Sequence, residues 1–156
     1  YAADLVNALL ADHDNHPRCF TAMSQLLDAL ADESQYAQAL LRFQWEVLSD
    51  CGYQPELNRD AATGDALKSQ SSYTFDAKAG GITMRTDAPK TSDTGPWKVR
   101  KETVQLLRAL NGQGHDGGQR LRDASEDALM RANRLLCVYV RTILDRELPT
   151  MGLVMG

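Results

Sequence analysis

The 156-residue sequence contains no long apolar run and only three cysteines. A membrane-spanning helix needs about 18 to 20 consecutive apolar residues, and no stretch approaches that length. No basic-then-apolar segment of the kind found in secretory signals opens the sequence. Cys19, Cys51 and Cys137 are odd in number and far apart, which argues against a disulfide framework. We therefore expect a globular protein with buried free thiols, as in a reducing cytosol.

Positive charge is scarce in the first part of the chain. Residues 1–66 hold three basic and eleven acidic side chains, whereas residues 67–156 hold fourteen basic and ten acidic ones. An acidic segment does not attract nucleic acid, so a phosphate group or an acidic peptide is expected to contact the second part. The alternative is that these charges form an ordinary solvated surface.

Apolar spacing predicts five helices, three of them in residues 1–52. The first covers about residues 1–11. The second begins at Pro17 and is expected to bury one stripe of side chains: Phe20, Met23, Leu27 and Leu30. The third begins near Ser34 and ends at Gly52, and its wide apolar face makes it the predicted centre of a bundle.

The segment 53–96 differs in composition, because Gly, Ser, Thr, Asp and Pro replace most apolar residues. Residues 73–75 and 82–84 alternate as short strands do, which predicts a two-stranded ribbon. A ribbon of two strands is marginally stable alone, so it must lean on the helices. We predict a mainly α fold, in which a small β-ribbon is inserted into a five-helix bundle.

The last segment, residues 97–156, is predicted to complete the helical domain begun by residues 1–52. Helix four is expected to begin around Trp97, and the glycine-rich residues 111–118 are expected to form a flexible connector. Ser125 is the predicted N-cap of the last helix, which Pro149 stops.

Two turns in the inserted segment have the form of a zinc knuckle, because each lies beside glycine and the two are joined by a hairpin. The four ligand positions are Asp60, Thr63, Met84 and Asp87. Thr and Met are not ordinary zinc ligands, and two carboxylates do not complete a tetrahedron. We predict a degenerate, metal-free zinc-ribbon-like element without a cofactor. Pairing of the two aspartates with Arg59 or Arg85 would replace the lost metal.

Other candidate sites have simpler explanations. His13 and His16 lie beside Asp12 and Asp14, but we interpret this segment as a solvated turn because no further metal ligands are indicated nearby. The cysteines have no histidine partner at helical spacing, and the glycines after residue 111 lack the Lys-Ser/Thr of a phosphate loop. Because no nucleophile–base pair is evident, we expect a binding protein and not an enzyme.

Several segments, in a fixed order, resemble one known family. The sequence LLRFQWEVL at residues 40–48 is followed by CGYQPEL at residues 51–57. Together they resemble the pattern R-F-E-x-x-L-L-x-x-x-G-Y/F-x-P-x-L of the C-terminal helical domain of RecO, a bacterial recombination mediator. The resemblance continues through F-x-x-x-x-G-G at residues 75–81 and the RLL to RELP segment at residues 134–149. The N-terminal oligonucleotide-binding barrel of that family would precede Tyr1, so we expect a fragment of a longer protein.

The resemblance implies a function in DNA repair and homologous recombination, based on binding. RecO-like proteins remodel single-stranded-DNA-binding protein, anneal complementary strands and act with RecR to load the RecA recombinase. They bind single- and double-stranded DNA, here mainly through the missing barrel, and the implied location is cytoplasmic and nucleoid-associated. Many of them keep four cysteines in the ribbon, so this sequence's departure argues against zinc more than against the family. The alternative is a helical protein-interaction domain unrelated to DNA.

The RecO helical domain is understood to hold the acidic, phenylalanine-ended tail of single-stranded-DNA-binding protein. Such a peptide needs an apolar slot for its ring and cations for its carboxylates. In this sequence we predict that Arg42 binds the tail beside an exposed edge formed by Leu41 and Trp45. Arg131 and Arg134 on the last helix would close the other side. Pairing of Arg42 with Glu46, one helical turn away, is the alternative for that arginine.

Overall fold

The computed structural model describes residues 1–10, 15–84, 95–111 and 115–155. Within them, the helices are α1 (Ala2–Leu9), α2 (Pro17–Ala29), α3 (Glu33–Asp50), α4 (Lys101–Asn111), α5 (His115–Arg122), α6 (Glu126–Leu144) and α7 (Gly152–Met155). The strands are β1 (Ser72–Asp76), β2 (Gly81–Thr83) and β3 (Trp97–Arg100). The prediction of a mainly α fold is confirmed, with two short helices, α5 and α7, beyond the five predicted.

Individual residues at the helix ends explain where the long helices begin and end. Pro17 occupies the first turn of α2, and the Ser125 hydroxyl caps α6 by accepting a hydrogen bond from the Ala128 N–H at 3.3 Å. After α3 the chain turns at Gly52, whose φ of 74° is costly for any residue with a Cβ. α3 packs against α1, α2 and α6, so its predicted place at the centre of the helices is confirmed.

The orientation of α2 differs from the prediction. The buried stripe is Cys19, Ala22, Leu26 and Ala29. The stripe predicted to be buried instead faces solvent at Phe20, Leu27 and Leu30, which are 76%, 58% and 60% exposed. Both stripes have helical spacing, so the period does not distinguish them. The observed stripe consists mostly of small side chains, which let the backbone of α2 come close to α3.

A buried polar network joins the first residue to α3 and α6. The Gln44 side chain donates to Asn133 Oδ1 at 2.7 Å and accepts from the Tyr1 hydroxyl at 2.9 Å. The Asn133 amide also donates to the main-chain carbonyls of Ala37 and Leu129, at 2.9 and 3.0 Å. Because an unsatisfied polar group in this environment is costly, the network fixes the relative positions of these helices.

The inserted element has three strands, in the order β2-β1-β3. β1 pairs antiparallel with both neighbours: Phe75 lies opposite Ile82 on β2 and opposite Trp97 on β3. The prediction that helix four begins around Trp97 is therefore wrong, and α4 begins at Lys101. The third strand adds the pairing that a two-stranded ribbon lacks. Trp97 packs on the Phe75 ring, with centroids 5.3 Å apart.

Two contacts attach this sheet to its surroundings. Gly81 passes so close to the Glu56 main chain that a Cβ would lie 2.8 Å from the Glu56 nitrogen, which explains the glycine at this position. The Arg108 guanidinium of α4 donates to the Leu57 carbonyl, with 3.0 Å between Nε and oxygen, and lies over the Tyr73 ring.

The segment predicted to be a flexible connector is partly helical. Residues from His115 onward form α5, which contacts α4 and buries Leu121. Packing of this apolar side chain outweighs the low helix propensity of the glycines.

Candidate functional site

The knuckle positions are the first candidate site, and three of the four come together. The Asp60 carboxylate, 2% exposed, accepts hydrogen bonds from the main-chain N–H groups of Ala62 and Thr63 at 2.8 and 3.1 Å. Its other oxygen accepts from the Met84 N–H at 2.6 Å. The main chain adds a bond of 2.7 Å from the Ala61 N–H to the Ile82 carbonyl. One carboxylate therefore links the two turns.

This donor set does not fit zinc. Both Asp60 oxygens already accept main-chain hydrogen bonds, and the Thr63 hydroxyl donates to Asp65 at 2.8 Å. Met84 is partly exposed and offers only a thioether. The zinc-ribbon-like description of the element stays a prediction. Asp87 and Arg85 lie outside the described residues, so their proposed pairing also stays a prediction.

The second candidate site was the α3 edge of the tail slot. Leu41 and Trp45 are 0% and 2% exposed, so the prediction that they form an exposed edge is wrong. Both side chains belong to the hydrophobic core, because α3 is surrounded by α1, α2 and α6. Arg42 is exposed, and the alternative given for it, pairing with Glu46, is not the arrangement observed: Glu46 lies 2.7 Å from the Arg18 guanidinium.

Arg42 lines a cavity of about 330 Å³ between α2 and α3. The other lining residues are mostly acidic or amide side chains: Gln25, Asp28, Ala29, Asp32, Gln35, Gln38 and Ala39. An acidic peptide would meet Asp28 and Asp32 there, and the wall offers no large apolar side chain for a ring. This cavity is therefore a poor site for the predicted tail.

Arg131 and Arg134 line a different cavity, of about 260 Å³, which we call the β3–α6 groove. Its walls are Trp97, Lys98, Val99 and Arg100 of β3, Thr103 of α4, and Arg131, Arg134, Leu135 and Val138 of α6. The two cavities share no lining residue, so the structure does not bring Arg42 together with the α6 arginines. The groove combines an apolar wall with four cationic side chains.

The charges at the rim of the groove are arranged around Arg131. Its guanidinium pairs with Asp127, one turn earlier on α6, and lies 3.5 Å from a Glu102 carboxylate oxygen. The Asp127 and Glu102 side chains are 77% and 71% exposed, so solvent screens both pairs. The Arg131 Nε is buried and has no hydrogen-bond partner among the described residues.

The sequence analysis named the two α6 arginines that line this groove and did not name the residues of β3. The signal was present in the alternation Trp97-Lys98-Val99-Arg100, which has the period of two typical of a strand. A strand exposes Lys98 and Arg100 on one face, whereas the helix predicted here would have dispersed them.

Burial disfavours the thiolate form of Cys19 and Cys137. Burial raises the pKa of the Cys137 thiol to about 11, and burial with a hydrogen bond to Asp50 raises the pKa of Cys19 to about 12. Thiols in this state are protonated at neutral pH and are weak nucleophiles.

The chain is similar to known proteins over most of its length. Residues 1–151 match the family described as "Recombination protein O C terminal". "DNA repair protein RecO" of Anaeromyxobacter sp. (strain Fw109-5) is 28% identical over 161 residues, which cover 97% of this chain and 62% of that protein. The proteins of the same name from Halorhodospira halophila and Sinorhizobium medicae are 28% and 31% identical, over 78% and 85% of this chain.

The chain spans only 46% to 62% of the length of these three relatives. No solved structure matches it. None of the helices that the structure describes combines the length and the apolar character that crossing a membrane requires.

Proposed function

The chain belongs to the Recombination protein O C-terminal family, and on that basis we propose that it is a protein-binding domain of a DNA-repair and recombination mediator. In this proposal the β3–α6 groove holds the acidic, phenylalanine-ended tail of single-stranded-DNA-binding protein. The observation that carries the proposal is the juxtaposition, in one groove, of an apolar wall and four cations.

The apolar wall suits one aromatic ring. Val99 and Leu135 are buried, while Trp97 and Val138 are half-buried and present carbon surface to the groove. The volume of about 260 Å³ lies just below the roughly 300–1,000 Å³ of sites that enclose small molecules. This size favours a single inserted side chain over an enclosed substrate, which supports binding over catalysis.

The four cationic side chains of the groove suit a peptide that carries several carboxylates. Arginine binds a carboxylate through two parallel hydrogen bonds, and Arg134 and Arg100 are exposed and able to do so. Four cations line the groove against the two rim carboxylates, Glu102 and Asp127. An incoming carboxylate would therefore meet net positive charge.

The main chain of β3 offers a further mode of contact. β3 is an edge strand whose strand partner is β1. Edge strands present N–H and C=O groups to which an extended peptide adds as another strand. A tail bound in this way would place alternate side chains toward the apolar wall and the cations.

In this proposal the domain takes part in the functions that RecO-like proteins perform in DNA repair. Capture of the tail would weaken the hold of single-stranded-DNA-binding protein on DNA by mass action. Binding of RecR, loading of RecA and strand annealing belong to the same proposal, as does a cytoplasmic, nucleoid-associated location. Most of the affinity for single- and double-stranded DNA is assigned to the N-terminal barrel of RecO-like proteins.

The test measures the affinity of a fluorescent acidic peptide that ends in phenylalanine. We expect Arg134→Ala to weaken binding about 10- to 100-fold, since one charge-assisted contact contributes about 1.5–3 kcal/mol. Arg42→Ala is the matched control, because it removes an exposed arginine from the other cavity and should leave the affinity unchanged. A peptide whose last residue is alanine should also bind weakly.

Equal affinity for the wild type and for Arg131→Ala/Arg134→Ala would refute the assignment of the groove. If the peptide does not bind at all and oligonucleotides show no salt-dependent affinity, the domain is an interaction module unrelated to DNA.

A further inference from the structure

A second group of potential ligands lies where α2 begins and α3 ends, away from the ribbon. His16 is the N-cap of α2, Cys19 lies in the first turn of that helix, and Asp50 is the last residue of α3. One ligand atom from each lies within 4.8 Å of the other two. We propose that His16, Cys19 and Asp50 bind one soft divalent metal ion, with zinc as the best fit.

The spacing of the donor atoms fits a tetrahedral ion. Zinc–ligand distances of 2.0 to 2.3 Å place neighbouring donors about 3.3–3.6 Å apart. The Cys19 sulfur lies 3.2 Å from Asp50 Oδ2, and His16 Nδ1 lies 3.8 Å from the same oxygen. These two distances are within a few tenths of an ångström of the range for zinc, and the third pair of donors lies within 4.8 Å. Thiolate and imidazole select zinc over the harder magnesium and calcium ions.

The His16 ring presents one nitrogen to the cluster. Nδ1 is the atom that lies 3.8 Å from Asp50 Oδ2, so it is the ligand atom in this proposal. Nε2 is buried and has no hydrogen-bond partner among the described residues. A metal-bound imidazole usually donates a hydrogen bond from its other nitrogen, so Nε2 is the atom to which such a partner would bind.

The charges around the cluster favour a cation. Glu46 lies one turn before Asp50 on α3, and Arg18 now neutralises both carboxylates, at 2.7 and 3.9 Å. The Arg18 side chain is 58% exposed, so it can swing into solvent when an ion enters. As the sulfur–metal bond forms, the thiol proton passes to solvent. Three protein ligands leave a fourth position for water.

The sequence did not indicate this site because its ligands come from two helices. His16 was grouped with Asp12, His13 and Asp14, which lie outside the described residues. In the fold, Asp50 lies close to His16, although it is 34 positions later in the sequence.

The experiment titrates the chelator-treated protein with Co²⁺, whose sulfur-to-metal absorption reports thiolate ligation, and then displaces it with Zn²⁺. We expect one ion per chain and the absorption band in the wild type. Cys19→Ser should abolish the band, and Asp50→Asn or His16→Gln should weaken binding at least about ten-fold. Circular dichroism of each variant distinguishes loss of the ligand from loss of the fold.

Matched controls come from the other thiols and from the ribbon. Cys51→Ser, Cys137→Ser and Thr63→Ala should each keep stoichiometric binding, whereas Arg18→Gln should tighten it. A band that persists in Cys19→Ser, or the absence of stoichiometric binding in the wild type, would overturn the proposal. Loss of binding in Thr63→Ala would overturn it as well, because the ion would then occupy the ribbon.

Discussion

Replacement of Asp60 by alanine should destabilise the protein more than most surface changes do. The carboxylate is buried and accepts hydrogen bonds from Ala62, Thr63 and Met84. Each hydrogen bond to a charged group contributes roughly 1.5–3 kcal/mol, but the three are not additive because the freed N–H groups partly regain water. We expect a loss of about 3–5 kcal/mol, a large share of the roughly 5–15 kcal/mol that stabilises a typical domain.

Two further variants distinguish the effect of removing the carboxylate charge from the effect of removing the whole side chain. Asp60→Asn keeps one oxygen but directs an NH₂ group at either the turn or the Met84 N–H. We therefore expect about 2–3 kcal/mol of destabilisation, as one acceptor becomes a donor. Thr63→Ala is the matched control: its hydroxyl bonds only to Asp65 among the described residues, and the side chain is exposed, so the cost should stay within about 1 kcal/mol.

Denaturant unfolding measures the global effect, and hydrogen exchange at the Met84 N–H measures the local one. The second assay matters because the ribbon can open without unfolding the helices. We expect the Met84 amide to be protected in the wild type and to exchange rapidly in Asp60→Ala. A cost below about 1 kcal/mol, together with unchanged protection, would show that the carboxylate does not hold the turns together.

Three other changes test the packing, the ribbon and the thiols. Leu26→Ala should cost about 2–5 kcal/mol by denaturant unfolding, whereas Leu27→Ala should cost less than about 1 kcal/mol; equal costs would contradict the orientation of α2. Gly81→Ala should lower the melting temperature, because its Cβ would overlap the Glu56 main chain, and an unchanged value would contradict that contact. In metal-free protein, the pKa of Cys137 rises from 9.0 to about 11 on folding. Between pH 9 and 11 the unfolded chain loses the thiol proton while the folded protein keeps it, so the free energy of unfolding is unaffected by this thiol below pH 9 and falls as the pH rises through that range. Cys137→Ala should flatten that part of a plot of the free energy of unfolding against pH.

Local chemistry made several helix boundaries predictable. Pro17 and Ser125 act within one turn of their own position, and Gly52 needs only its own φ, so each was identified without knowledge of the packing. The third helix was also recognised as central, because its apolar face is wide enough to contact helices on several sides.

The orientation of α2 and the strand β3 were not predictable in the same way. Cys19, Ala22, Leu26 and Ala29 become the buried stripe because α3 approaches small side chains, which hydrophobicity alone undervalues. β3 is four residues long and becomes a strand by pairing with β1, more than twenty residues earlier. Both outcomes depend on tertiary contacts that outweigh local preference.

The same distinction explains which of the residues predicted to bind the tail lie at the surface. Arg131 and Arg134 lie off the buried stripe of a long helix, so charge and period sufficed to place them at the surface. Leu41 and Trp45 lie on a helix that is covered on several sides, and the sequence does not specify how many neighbours a helix has.

The β3 strand belongs both to the sheet and to the wall of the groove, but different residues hold these two regions in place. β3 pairs with β1, which lies in the centre of the sheet, whereas Asp60 fixes the far side, at the end of β2. The Arg108 bond to the Leu57 carbonyl anchors the sheet to α4 independently of the knuckle. We therefore expect Asp60 to govern the stability of the ribbon. In the function proposed above, the affinity for an acidic tail would depend on β3 and α6 instead.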